Sequence, residues 1–255
     1  MATLPLDIVR VREQPGLTIV ERPYMVVGIP DVGLAGTIAA TFIVRKLQLP
    51  ISAEILDDRL PPIALLRRGL PYSPYAIYGN GNPFVLAPET VIPASLIRPF
   101  IRGVIIWALS RGVRSIYALG GIADANRPNV KEPRVFGVVS SSQGLGLLEE
   151  HGIRVIPDGY LVGPYAVLVH EARNYGIHVV VLLAQAYYNV PDPAAAAALL
   201  KVLSSMTRLE IDVGELIEQG EKIRLAARTL MRRAAAELER MKKTHELEAP
   251  PSLYV

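Results

Sequence analysis

Short runs rich in valine and isoleucine alternate through the first two thirds of this chain with stretches whose apolar residues recur every three or four positions. Side chains repeat every second residue along a strand and about every 3.6 residues along a helix, so each pattern excludes the other locally. The runs at 18–20, 24–27, 53–56, 63–66, 75–78, 84–87, 115–119, 135–139 and 178–183 are expected as strands. Between them, Leu34, Ile38, Phe42 and Leu47 mark one helix, Ile97, Ile101, Ile105 and Leu109 a second, and Tyr165, Leu168 and Ala172 a third. Strands apolar on both faces and separated by helices need a cover on each side of the sheet. The expected fold is therefore α/β, an αβα sandwich with a mixed, mostly parallel sheet. The four runs between 53 and 87 leave no room for intervening helices and add an antiparallel section.

After residue 183 the pattern changes. Pro191-Asp192-Pro193 opens an alanine-rich helix, with Asp192 placed to cap its free N–H groups and Pro193 in the first turn. From Val213 onward, Leu216, Gly220, Ile223, Ala227, Leu230, Ala234, Leu238 and Met241 continue one stripe in steps of three or four. A single long amphipathic helix is expected there, packed against another helix of the same chain or of a neighbouring subunit. Ala249-Pro250-Pro251 ends it, because proline lacks the N–H and restricts the residue before it. The expected layout is a core domain over 1–212, a C-terminal helix over 213–248 and an extended tail over 249–255.

Composition removes several classes of function. The chain has no cysteine, which excludes disulfides, thiolate nucleophiles and thiolate metal sites. Hydrophobic residues at 51% against 20% charged exclude a disordered chain and suggest that apolar surface is covered by other subunits. No apolar run is long enough to span a bilayer, so no membrane partner is expected. Asp7 and Arg10 stand where a secretory signal would carry its apolar segment, which makes the cytoplasm the expected location. A net charge of +3 does not by itself imply a polyanionic partner. Eight Lys or Arg against three Glu do cluster between Glu221 and Lys243, but no aromatic residue lies among them to stack on bases. These charges read as the solvated back of the helix, and no nucleic-acid partner is expected.

Two glycine-rich loops follow expected strands. Gly28-Ile29-Pro30-Asp31-Val32-Gly33-Leu34-Ala35-Gly36 fails both nucleotide fingerprints: Asp31 stands where a dinucleotide loop needs glycine, and Leu34-Ala35 where a P-loop needs Lys-Ser or Lys-Thr. Gly120-Gly121, with Asp124, Asn126 and Arg127 close behind, is the second. Ligands of open α/β sheets bind outside the carboxyl ends of the strands, so Gly28, Asp31, Gly33, Gly36, Gly120 and Gly121 are candidate ligand-loop positions around one crevice. The competing reading is that these glycines permit tight turns and close helix–sheet packing. The four histidines show no ligand spacing, Ser140-Ser141-Ser142 lacks a nucleophile elbow and reads as a helix cap, and no metal or cofactor is expected.

Taken together, Gly28 to Gly36, Gly120-Gly121 and Pro191-Asp192-Pro193-Ala194-Ala195 resemble the archaeal branch of the proteasome assembly chaperone family, over roughly Pro23 to Asp212. That resemblance implies a fold similar to purine nucleoside phosphorylases, a homo-oligomer with a tetramer favoured, and a chaperone or ATP-independent activator role in place of catalysis. Leu253, Tyr254 and Val255 match the hydrophobic-Tyr-X motif by which proteasome activators and assembly chaperones dock onto proteasome α subunits. The resemblance thus implies an α-ring partner bound through these three residues. Tyr254 offers a rigid ring with a polar hydroxyl, Leu253 an apolar anchor, and the Val255 carboxylate a partner for a pocket lysine. The alternative is a small-molecule enzyme, with a nucleotide or acyl-phosphate substrate, using the crevice between the two glycine loops.

Overall fold

The computed structural model describes residues 7–17 and 20–240. Its strands are β1 (Arg10–Glu13), β2 (Met25–Val27), β3 (Ile51–Leu56), β4 (Leu65–Arg67), β5 (Leu70–Tyr72), β6 (Ala76–Gly79), β7 (Phe84–Leu86), β8 (Ser115–Ala123), β9 (Val135–Val139), β10 (Arg154–Val155) and β11 (His178–Ala186). The helices are α1 (Ala35–Lys46), α2 (Ile97–Ser110), α3 (Gln143–Glu150), α4 (Pro164–Tyr175), α5 (Pro193–Thr207), α6 (Gly214–Glu218) and α7 (Gly220–Arg240). Nine strands form one sheet in the order β1-β3-β6-β7-β2-β8-β11-β9-β10. Its centre, β7-β2-β8-β11, is parallel, and β1, β3, β6 and β7 pair antiparallel on one side of it.

Strand alternation assigns each residue to a face. Met25 and Val27 of β2, Ile116 and Ala118 of β8, and Val179, Val181 and Leu183 of β11 point into a core shared with α2 and α4. Val26, Leu119, Val180, Leu182 and Ala184 point the other way, into a core shared with α1, α5, α6 and α7. The expected αβα sandwich is thereby realised. On the first face Phe84 meets Trp107 edge-on with ring centroids 5.0 Å apart. On the second, α1 buries Ile38, Phe42 and Ile43, each worth about 1.5–3 kcal/mol of transfer free energy.

Several elements differ from the sequence reading. The run at 63–66 contributes to β4, which does not join the main sheet but pairs with β5 in a separate hairpin. β1, β5 and β10 lie where no strand was expected. Thr18 and Ile19 of the first expected strand are outside the described residues. The stripe from Val213 is not one continuous helix, since Gln219, at φ −89° and ψ 11°, separates α6 from α7. The break lets α6 turn inward, so that Leu216 is fully buried while Glu215 reaches Arg45 and Lys46 at 3.2 and 2.9 Å. Residues 241–248 of the expected helix lie outside the described residues. Ser142 stands at the N-cap of α3 but makes no capping bond, because its own backbone is already helical at φ −58° and ψ −26°. Ser140 instead accepts a bond from the Val179 N–H at 3.0 Å and ties the loop to β11.

Candidate functional site

Because β2, β8 and β11 are parallel, the loops that leave their carboxyl ends meet at one edge of the sheet. This brings the two glycine loops together. A Cβ on Gly36 would stand 1.7 Å from the Leu119 carbonyl oxygen, so only glycine lets the first turn of α1 lie directly on β8. A Cβ on Gly28 would stand 2.3 Å from the Gly36 oxygen, and one on Gly121 2.2 Å from the Val32 oxygen. At Gly120 it would meet the Tyr165 ring at 2.5 Å and Asp31 Oδ2 at 3.1 Å. Gly33 has φ +61°, in the left-handed region where a side chain is strained, and packs on Ala186. Asp31 is fully buried between the two loops, and its carbonyl accepts from the Leu34 N–H at 2.9 Å.

Two polar groups fasten the loops. The Tyr165 hydroxyl, from the first turn of α4, accepts from the Ile29 N–H at 3.2 Å and donates to the Leu119 carbonyl. Asp192 caps α5 as its position before Pro193 predicts, accepting from the Ala195 N–H at 3.0 Å. The same carboxylate receives both arms of Arg127, with Nε to Oδ2 at 2.7 Å and Nη2 to Oδ1 at 2.9 Å. Its backbone N–H donates to the Gly33 carbonyl at 2.8 Å, and the Tyr187 N–H donates to Oδ2 at 3.3 Å. Arg127 also donates to the Val130 carbonyl at 2.6 Å and lies 5.0 Å from the Tyr187 ring centroid. Both members of the pair are buried, at 4% and 1% exposure. A bidentate geometry with every other lone pair engaged is the arrangement in which a buried ion pair is tolerated.

The pairing of Arg127 with Asp192 spans 65 residues of sequence, and nothing local announces it. A second buried carboxylate was missed for the same reason. Glu171 of α4, at 1% exposure, receives Arg98 and Arg102 of α2, the latter at 3.0 Å. Burial alone would raise its carboxyl, but the bonds and charges of Arg102 and Arg98 outweigh that and hold it below its ordinary value.

α6 and α7 close over this edge from outside. Arg224 donates to the Pro191 carbonyl at 3.3 Å, and Met231, Ala234 and Leu238 are the buried residues of α7. Between α1 and these helices remains a cleft of about 380 Å³, lined by Leu34, Ile38, Phe42, Leu216, Ile223 and Leu230. Of the cations on α7, Arg224 pairs with Glu221 and Arg240 with Glu237, while Lys222, Arg228, Arg232 and Arg233 are exposed. Among the described residues no cluster of His, Asp and Glu is arranged to hold a metal ion, and no helix is long and apolar enough to cross a membrane. Leu253, Tyr254 and Val255 lie outside the described residues.

The fold and this edge define an α/β sandwich whose glycine loops pack on each other, backbone against backbone and side chain. The chain belongs to the PAC2 family, whose model matches residues 25–231. It is similar to the uncharacterized protein MJ0106 of Methanocaldococcus jannaschii, with 26% identity over 203 residues, covering 80% of this chain and 83% of that one. Among solved structures it resembles Pyrococcus furiosus PbaA, described as an archaeal homolog of proteasome-assembly chaperone. The TM-score is 0.82 at 26% identity, over 91% of this chain and 99% of that one. Pyrococcus furiosus PbaB, described as an archaeal proteasome activator, shares the fold, with a TM-score of 0.71 at 19% identity over 88% of this chain and 99% of that one.

Proposed function

We propose that this protein is a non-enzymatic proteasome assembly chaperone or ATP-independent activator, working in the cytoplasm as a homo-oligomer. It binds the α-ring of the proteasome core particle through Leu253, Tyr254 and Val255. The observation that carries this reading is the coincidence of two features: a fold shared almost end to end with an archaeal homolog of proteasome-assembly chaperone, and a hydrophobic-Tyr-X segment that follows Pro250-Pro251 in the sequence. The prolines restrict the segment before it binds, which reduces the freedom lost on docking. Several segments on one oligomer act together, since each engaged one raises the effective concentration of the next.

The enzymatic alternative needs room between the two glycine loops, and at Gly36 and Gly121 that room is filled by the carbonyl groups of Leu119 and Val32. Asp31 adds a buried carboxylate beside Gly120. Co-purification with proteasome α subunits tests the proposal. The intact chain is expected to retain them, and retention of ATP in their place, at micromolar affinity by calorimetry, would favour the enzyme.

A further inference from the structure

The chain's small net charge hides a local concentration of cations. A second cleft, of about 580 Å³, opens between the start of β9, the loop before β10, the outer side of α5 and the end of α6. Its rim carries Lys131, Arg134, Arg154 and Lys201, against Glu132 as the one carboxylate of the lining. All four cations are exposed, and none has an ion-pair partner among the described residues. They differ in this from the cations elsewhere on the surface that are matched in place: Arg59 with Asp57, Arg67 with Glu89, Arg45 and Lys46 with Glu215.

The floor is apolar. Val135, Phe136, Ile153 and Val202 line it half-buried, Ala197 is buried, and Ile217 stands 55% exposed at its side. Ala194, Ala197 and Ala198 place three small side chains on the α5 wall, one turn before Lys201, so a partner's backbone can approach α5 closely. Four cations held around one apolar trough repel one another, and that repulsion is relieved by a ligand that is both anionic and apolar.

We propose that this trough is a docking site for an acidic segment of another protein, one that inserts leucine-like anchors between β9 and α5 and spreads its carboxylates over Lys131, Arg134, Arg154 and Lys201. The described lining includes none of residues 241–255, and the proposal does not depend on the reading given to Leu253, Tyr254 and Val255. A peptide fits these observations better than a nucleic acid, because the floor takes aliphatic anchors and the only aromatic ring in the lining, Phe136, is half-buried in it.

The test uses the full chain and a fluorescein-labelled helical peptide of glutamate, leucine and alanine, read by anisotropy at physiological salt. Binding is expected, weakened about tenfold or more in the double variant Arg134→Glu, Arg154→Glu. It is expected to weaken likewise in Ala198→Trp, which fills the trough and leaves every charge in place. A serine-for-leucine peptide should bind worse, and deleting residues 253–255 should change nothing. Thermal melts establish that each variant is folded, and Ala198→Ser serves as a near-isosteric control that keeps binding. Absence of binding to the intact chain would overturn the proposal. So would binding indifferent to Ala198→Trp and to the loss of leucine, or a single-stranded oligonucleotide that competes at equal charge, since either marks a nonspecific polyanion surface.

Discussion

The carboxyl edge of the sheet and the β4–β5 hairpin are both loops between strands, yet they are built on opposite principles. At the edge, Asp192, Arg127, Tyr165 and Asp31 are buried, and glycine backbones touch carbonyl groups directly. In the hairpin Leu66 is 75% exposed and Leu70 60%, and a Cβ on Gly69 at the turn would meet nothing. The first region spends its polar groups on holding three loops in one arrangement, and the second leaves apolar side chains in water. Substitutions at the edge are therefore expected to cost folding stability, and those in the hairpin to cost little.

The largest effect that can break this contrast is loss of the buried ion pair. Asp192→Ala strands the Arg127 guanidinium and uncaps α5, and is expected to cost about 3–5 kcal/mol in urea denaturation. A loss below about 1 kcal/mol would mean the edge is not where stability resides. Gly36→Ala comes next. Its methyl group meets backbone that cannot rotate away, so about 1–3 kcal/mol or more is expected, read as a lower melting temperature.

Acid titration sharpens the contrast within the polar groups. The Glu171 carboxyl is held below its ordinary value of 4.5, so the unfolded chain takes up that proton first as pH falls. The stabilisation from its two arginines is complete above about pH 4.5 and is lost as pH falls through the lower folded value. Melting curves from neutral to acid pH should therefore converge for the wild type and Glu171→Gln, with the variant less stable only at the upper end. Glu54, also held low, is present in both chains and cancels in the difference. The smallest effect belongs to the hairpin: Leu66→Ser with Leu70→Ser should change folding free energy by no more than about 0.5 kcal/mol per site.

How much of this was legible in the sequence depends on the range of the interaction. β2, β8 and β11 declared themselves because strands buried on both faces are apolar throughout, and the Asp192 cap did because it acts on a residue three positions away. β1 did not, since Arg10-Val11-Arg12-Glu13 places charged residues on the outer edge of a sheet, and neither did β10, which is two residues long. The partners of Asp192 and Glu171 come from distant segments, so only the folded chain brings them together. The break at Gln219 was hidden because the apolar stripe continues in phase through Gly220 while the helix does not. The glycine loops were legible as a pair, and which backbone each touches was not.

The central claim concerns the segment beyond α7, and surface binding of proteasome α subunits to the intact chain, to Tyr254→Ala and to the chain lacking Leu253, Tyr254 and Val255 tests it most directly. Truncating a buried tyrosine anchor costs about 2 kcal/mol, roughly thirtyfold for each docking segment, and more when several act together. The account predicts that binding is abolished in the shortened chain while its melting temperature and oligomeric state match those of the intact one. Equal retention of α subunits by the shortened and intact chains would contradict it.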